Sequence, residues 1–250
     1  MDSGIGGLKY LQWIKDKYPY ESYIYIADSA NFPYGEKSLV RLRPAIEKLA
    51  QHLEKQFSPK AVVVACNTAT LTAYDLMKKT FNCPVMGVQP ILTAQALKNY
   101  QPPIAILATE ASIRQIASQK FDTNQNFIFC PAGVLVNFVE NYWISSSAEE
   151  KKLIIKPFTE EFLEKNVHTV MLSCTHFLYL KNEFQQALPD VQFLDYLSEM
   201  EKTLSEKVKL NTKVRNWATA TLYQTANCRI EQYEFLCASF GLKFGGQMII

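Results

Sequence analysis

The stretch KAVVVAC, residues 60–66, has no polar alternation. A strand with one face in water alternates polar and apolar side chains, so this one is covered on both faces. HTVMLSC, residues 168–174, has the same character. Such strands belong to parallel sheets flanked by helices. Other β-rich runs follow the same rhythm: SYIYIAD (22–28), CPVMGV (83–88), PIAILAT (103–109), NFIFC (126–130), VQFLD (191–195) and NWATATLY (216–223). Between them lie stretches with helical spacing, such as Ile46, Leu49, Leu53 and Phe57. Helices are also expected over 70–80, 110–120, 133–143, 149–166, from 174 to about 188, 198–210 and 227–240. Pro44 is expected in a first helical turn, where its missing N–H costs least. Gln89–Pro90 is expected to end a strand, and Pro90 with Pro102–Pro103 to bracket a domain crossing. The fold class is α/β.

Composition narrows the function. The chain of 250 residues, 48% hydrophobic and 20% charged, can build one large core or two modest ones. Its net charge is only +2 and its charges interleave, so no basic face points to nucleic acid. No apolar run approaches a membrane span, and no signal peptide is visible. Six cysteines without repeated short spacing do not make a disulfide framework, so a cytoplasmic protein with reduced thiols is expected.

Sites in open α/β sheets form outside the carboxyl ends of the strands. Cys66 and Cys174 each stand at such an end with a helix following. The positive end of a helix favours thiolate, so a pKa moved toward neutrality is expected there. Asn67, Thr68 and Thr175 add polar groups for a small ligand. A buried cysteine often packs as a small hydrophobe, and Cys83, Cys130, Cys228 and Cys237 are read that way. Repetition of the polar pattern argues against that for Cys66 and Cys174. Cys174, His176, Cys66 and His168 lack the paired short spacing of zinc sites, so no metal is assigned. MDSGIGGL places Asp2 and Ser3 beside glycines that would let the backbone approach a ligand closely. In NFPYGEKS, Pro33 and Gly35 fix a tight loop that presents Tyr34.

Together, DSGIGG, ADSANFPYG, ACNTAT and CTHF resemble glutamate racemase, of the cofactor-independent amino-acid racemases, over essentially the whole chain. Aspartate racemases share the paired cysteines but usually carry Glu after the second Cys-Thr, where this chain has His176. The resemblance implies two pseudo-symmetric, doubly wound α/β domains with largely parallel sheets and the site in the cleft between them. The first would hold residues 1–89 plus 211–250 and the second residues 90–210. It implies that Cys66 and Cys174 face opposite sides of the substrate Cα, one taking a proton and the other giving one. Asp2 and His176 would assist them. Asp2, Ser3, Pro33, Tyr34, Gly35, Asn67, Thr68, Thr175 and His176 would form the substrate site, with Glu140 of NFVEN as an auxiliary acid. It implies no cofactor, a homodimer, a role in supplying D-glutamate for peptidoglycan and cell shape, and a cell-wall precursor as activator, the last resting on GVQP.

The chain also departs from the family pattern. Met1 stands where a short strand usually precedes DSG, so an unpaired sheet edge and a frayed Asp2 and Ser3 are expected, with Met1 a misassigned or alternative start. Ser173 and Leu178 replace a usual Gly and Pro, no Ser-Gly follows Asp195, and Ser112 alone matches a usual Thr, Ser and Tyr segment. These bear on substrate preference. The rival readings are a racemase of aspartate or another amino acid, a catalytically weak ligand-binding homologue, and a thiol- or zinc-dependent hydrolase.

Overall fold

A computed structural model describes residues 1–88, 97, 99–118, 126–211 and 218–250. In chain order the elements are α1 (Leu8–Lys17), β1 (Tyr23–Ala27), α2 (Leu39–Phe57), β2 (Val62–Val64), α3 (Asn67–Thr80), β3 (Val85–Gly87), β4 (Ile104–Ala108), α4 (Glu110–Ala117), β5 (Phe127–Pro131), α5 (Gly133–Asn141), α6 (Ala148–Glu164), β6 (Thr169–Ser173), α7 (Lys181–Ala187), β7 (Gln192–Leu194), α8 (Leu197–Lys207), β8 (Ala220–Gln224), α9 (Ile230–Ser239) and β9 (Lys243–Gln247). Short 3-10 turns cover Tyr34–Glu36 and Thr175–Tyr179.

Among the described residues every strand pairing is parallel. The order in the largest sheet is β5-β4-β6-β7, and two smaller sheets run β1-β8-β9 and β2-β3. All residues of β4 and β6 are buried, as their unbroken apolar runs require. Leu107, Val170 and Leu172 pack with Leu135, Val139, Phe162 and Phe184 from the neighbouring helices. A second cluster joins Leu42, Ile46, Leu49 and Leu53 of α2 to Val64, Ala69 and Met77. Each of these side chains larger than alanine contributes about 1.5–3 kcal/mol by leaving water.

The first residues correct the expectation of a frayed terminus. Asp2 donates its N–H to the Ile26 carbonyl at 3.0 Å and accepts from Asp28 N–H at 2.8 Å. Met1 accepts from Ala65 N–H at 2.9 Å, so this pair lies between β1 and β2 and joins the smaller sheets. Asp2 is 0% exposed and Ser3 4%. Behind Met1 an apolar cavity of about 340 Å³ lies between the two strands, lined by Tyr23, Ile24, Ile26, Phe57, Val62 and Val63.

Other boundaries also differ from the sequence reading. α2 begins at Leu39, so Pro44 is interior rather than in the first turn. The hydrogen bond it cannot make would go to Val40, whose surroundings are open to solvent at 84% exposure. α3 begins at Asn67 rather than at 70, because Cys66 is its N-cap. α1, with Leu8, Leu11 and Ile14 buried, and β9 were not expected. The break at Gln89–Pro90, residues 119–120 of the expected 110–120 helix and residues 216–217 of the expected 216–223 strand lie outside the described residues. Among the described residues, no helix is long and apolar enough to cross a membrane.

Candidate active site

Cys66 ends the β2 segment and Cys174 ends the β6 segment, and each precedes a helical turn. Their backbones match: φ −153°, ψ 117° at Cys66 and φ −150°, ψ 137° at Cys174. Both thiols line one cavity of about 450 Å³. Its walls include Asp2, Ser3, Pro33, Tyr34, Gly35, Asn67, Thr68, Thr175 and His176, so these sequence-selected residues converge there. Glu140 is not among the lining residues. It is fully buried behind His176.

Asp2 is locked from two directions. One carboxylate oxygen accepts from Gly4 N–H at 3.2 Å and Ser3 Oγ at 3.3 Å, the other from Thr175 Oγ1 at 2.8 Å. Burial pushes its pKa up, while His176, Thr175 and the Gly4 N–H pull it down. His176 places Nδ1 3.8 Å from Cys174 Sγ and Nε2 2.9 Å from Glu140 Oε2. Burial works against the charged imidazole, but the contacts with Cys174 and Glu140 hold its pKa well above the usual value.

Cys66 does not follow the helix-dipole expectation. Backbone N–H groups of Ala69 and Thr68 do favour its thiolate, yet burial, helped by the anionic Asp2, pushes the thiol well above the ordinary range. Desolvation outweighs one helix end when the residue is only 7% exposed.

The glycines of DSGIGG serve the protein's own packing rather than a ligand. A Cβ on Gly4 would stand 2.3 Å from Glu140 Oε2, and one on Gly6 2.5 Å from His176 Nδ1 and from Thr175 Oγ1. The Glu140 carboxylate is held by His176, Ile5 N–H and Arg229, so it cannot move aside cheaply. Gly4→Ala is expected to cost about 1–3 kcal/mol, seen as a fall of several degrees in Tm, with activity falling too. An unchanged Tm and rate would show that Glu140 is not fixed there.

Three groups escaped the sequence reading. Asp28 accepts from Tyr34 OH at 2.6 Å, Thr225 Oγ1 at 2.7 Å and Asn31 Nδ2 at 3.0 Å, tying down the loop that carries Pro33 and Gly35. The Tyr34 hydroxyl is therefore committed to Asp28 rather than presented to a ligand. Thr109 joins Thr68 and Ser112 in a triangle of hydroxyls with sides of 3.2, 3.0 and 3.0 Å at the start of α4. Arg229 reaches Glu140 from the far end of the chain.

Among the described residues, none that lines the cavity is Lys or Arg. An anion there must be held by hydroxyls and by the free N–H groups that open α3, α4 and the turn after Cys174. Asn67 Oδ1 is buried without a hydrogen-bond partner and suits an ammonium. The cavity thus offers two thiols, anion-binding donors and a cation acceptor, the requirements of proton exchange at an amino-acid Cα.

Comparison with known proteins agrees. Residues 9–199 match the profile of the Asp/Glu/Hydantoin racemase family. The chain is 33% identical over 226 residues to a glutamate racemase of Clostridium botulinum, covering 85% of each. It superposes on the glutamate racemase of Francisella tularensis in complex with D-glutamate with a TM-score of 0.79 at 26% identity, covering 100% of this chain and 95% of that one. The fold is also that of Escherichia coli glutamate racemase, solved with L-glutamate and the activator UDP-MurNAc-ala, at a TM-score of 0.82 and 24% identity over 99% and 96% of the two chains. The chain belongs to the Asp/Glu/Hydantoin racemase family, among the glutamate racemases.

Proposed function

We propose that this chain interconverts L- and D-glutamate with Cys66 and Cys174 as the two proton-transfer groups. The observation that carries the reading is the pair of cysteines in matched backbone conformations on one cavity. Racemisation needs one base on each face of Cα, and the reverse reaction needs the same pair with roles exchanged. Two residues of one type in equivalent settings meet that demand.

In the resting site Cys174, beside the His176 imidazole, is the base, and Cys66, pushed up by burial, holds its proton. The Cys174 thiolate takes the Cα proton. Cys66 then gives its own to the opposite face, and the two thiols finish with exchanged protonation. Asp2 lies next to both motifs and His176 backs Cys174. The carbanion-like transition state is stabilised by donors held fixed in a largely buried lining. The free N–H groups that open α3, α4 and the turn after Cys174, with the Thr68 and Thr109 hydroxyls, hold the two carboxylates, and Asn67 Oδ1 takes the ammonium.

The same proposal includes two α/β units, residues 1–89 plus 211–250 and residues 90–210, with the cleft between them. Homodimeric assembly, a cytoplasmic setting and a role in cell shape belong to it. So does activation by a cell-wall precursor, which rests on the GVQP stretch; its Gln89 and Pro90 lie outside the described residues.

The test is deuterium entry at Cα of glutamate and of aspartate in heavy water, read by NMR. Entry with inversion for glutamate, far faster than for aspartate, is expected. Faster turnover of aspartate would replace the substrate, and no entry with either would overturn the racemase reading.

A further inference from the structure

The two oxygens of the fully buried Glu140 face different partners. Oε2 accepts from Ile5 N–H at 3.0 Å and meets His176 Nε2 at 2.9 Å. Oε1 has no well-aligned hydrogen bond, and its partner is the Arg229 guanidinium at 3.2 Å. The same nitrogen donates to Asn141 Oδ1 at 3.1 Å. The guanidinium lies 5.2 Å from the centre of the Phe32 ring, and that ring lies 6.3 Å from the imidazole of His176. Arg229 is also held in the left-handed region, at φ +50°, at the start of α9. A non-glycine residue adopts that conformation only where its surroundings impose it, and such residues gather at functional sites.

We propose that Arg229 is a positioning residue of the active site: it keeps Glu140 ionised, so that the shared proton stays on His176 and Nδ1–H faces Cys174. This rests on the reading of Cys174 as a proton-transfer group. A buried carboxylate facing one imidazolium can take its proton, because a neutral pair is less costly to desolvate. A second cation on the other oxygen opposes that transfer. The remaining groups facing the pair cannot replace it. Tyr25 and Tyr179 spend their hydroxyls on the Gly4 and Ile5 carbonyls. The Tyr233 hydroxyl is buried without a partner and makes no bond to Glu140. Asp2 and Cys174 bring negative charge or none, and Cys228 lies by Tyr233. A guanidinium is suited to the task because it stays charged when partly buried, at 25% side-chain exposure.

The chain has only three histidines, so the His176 ring signals can be identified by comparison with His176→Asn. The ring nitrogens are followed by NMR against pH in wild type, Arg229→Gln and Arg229→Lys, with circular dichroism reporting the fold. Alkylation of Cys174 and Cys66 is read by mass spectrometry on the same samples. In Arg229→Gln the His176 midpoint is expected to fall by about one pH unit or more, and Cys174 alkylation at neutral pH to slow roughly tenfold. Cys66 alkylation should hold, and Arg229→Lys should recover most of the difference. The racemisation pH profile should move with the His176 midpoint. An unchanged midpoint in folded Arg229→Gln overturns the proposal, whatever happens to the rate. So does a lysine variant that titrates like the glutamine one. If the midpoint moves but wild type exchanges no Cα proton, the racemase reading fails while the role of Arg229 toward His176 stands.

Discussion

Replacing either thiol, as Cys66→Ala or Cys174→Ala, should lower racemisation by about 10³-fold or more, with the fold intact. Each variant would delete the proposed proton-transfer group on one face of Cα, and among the described residues no lysine or arginine lines the cavity to substitute for it. The two should fail differently. The thiol that remains can still exchange the proton of whichever enantiomer presents Cα–H to it. Deuterium should therefore enter one enantiomer without inversion in Cys66→Ala and the other in Cys174→Ala. A single variant that keeps more than roughly a tenth of the wild-type rate would remove that cysteine from the mechanism, because one missing acid or base is worth at least two decades.

Alkaline pH should unfold the protein sharply. Tyr10, Tyr25, Tyr34, Tyr179 and Tyr233 are buried. Burial raises the pKa of each, and the neighbouring carboxylates Asp195, Asp2, Asp28 and Glu140 add to the shift. A group whose folded pKa lies above its unfolded value contributes stability below the unfolded pKa. That contribution is lost as pH rises through the window up to the folded pKa. For tyrosine the window opens near pH 10, so at about pH 11 each phenol has cost about 1.4 kcal/mol, and together about 7. Cys66 acts in the same direction from about pH 9, and His176 from about pH 6.5. Total stability is usually about 5–15 kcal/mol, so cooperative unfolding is expected near pH 11. Circular dichroism and tyrosinate absorbance should change together. Gradual tyrosinate formation near pH 10 without loss of ellipticity would show that these rings are accessible in the folded state.

The departures from the family pattern fall around the site rather than in it. Ser173 and Leu178 flank the Cys174 turn, and Asp195 is engaged by Lys181 at 2.7 Å and by Leu197 N–H at 2.9 Å. Ser112 keeps a hydroxyl in the triangle with Thr68 and Thr109. Polar side chains therefore line the cavity even where the residues around it depart from the pattern.

What the sequence alone determined was local and periodic. The unbroken apolar runs 60–66 and 168–174 required a parallel sheet covered on both faces, and the two cysteines at their ends marked the edge where the cavity lies. β9 could not be read that way, because KFGGQ is a half-exposed edge strand with two glycines and no apolar run. α1 lay hidden behind a glycine turn. Tertiary structure alone decided the charges and the packing around the thiols. Whether a thiol at a helix start gains or loses acidity depends on how much water remains beside it, and burial reversed the expected direction at Cys66. Glycines that looked ready for a ligand instead make room for Glu140, Thr175 and His176, which join the chain at distant positions. The same holds for Asp28 with Thr225 and for Arg229 with Glu140. Pairing across such separations leaves no periodic trace in a single sequence; it exists only once the sheets have brought the chain back on itself.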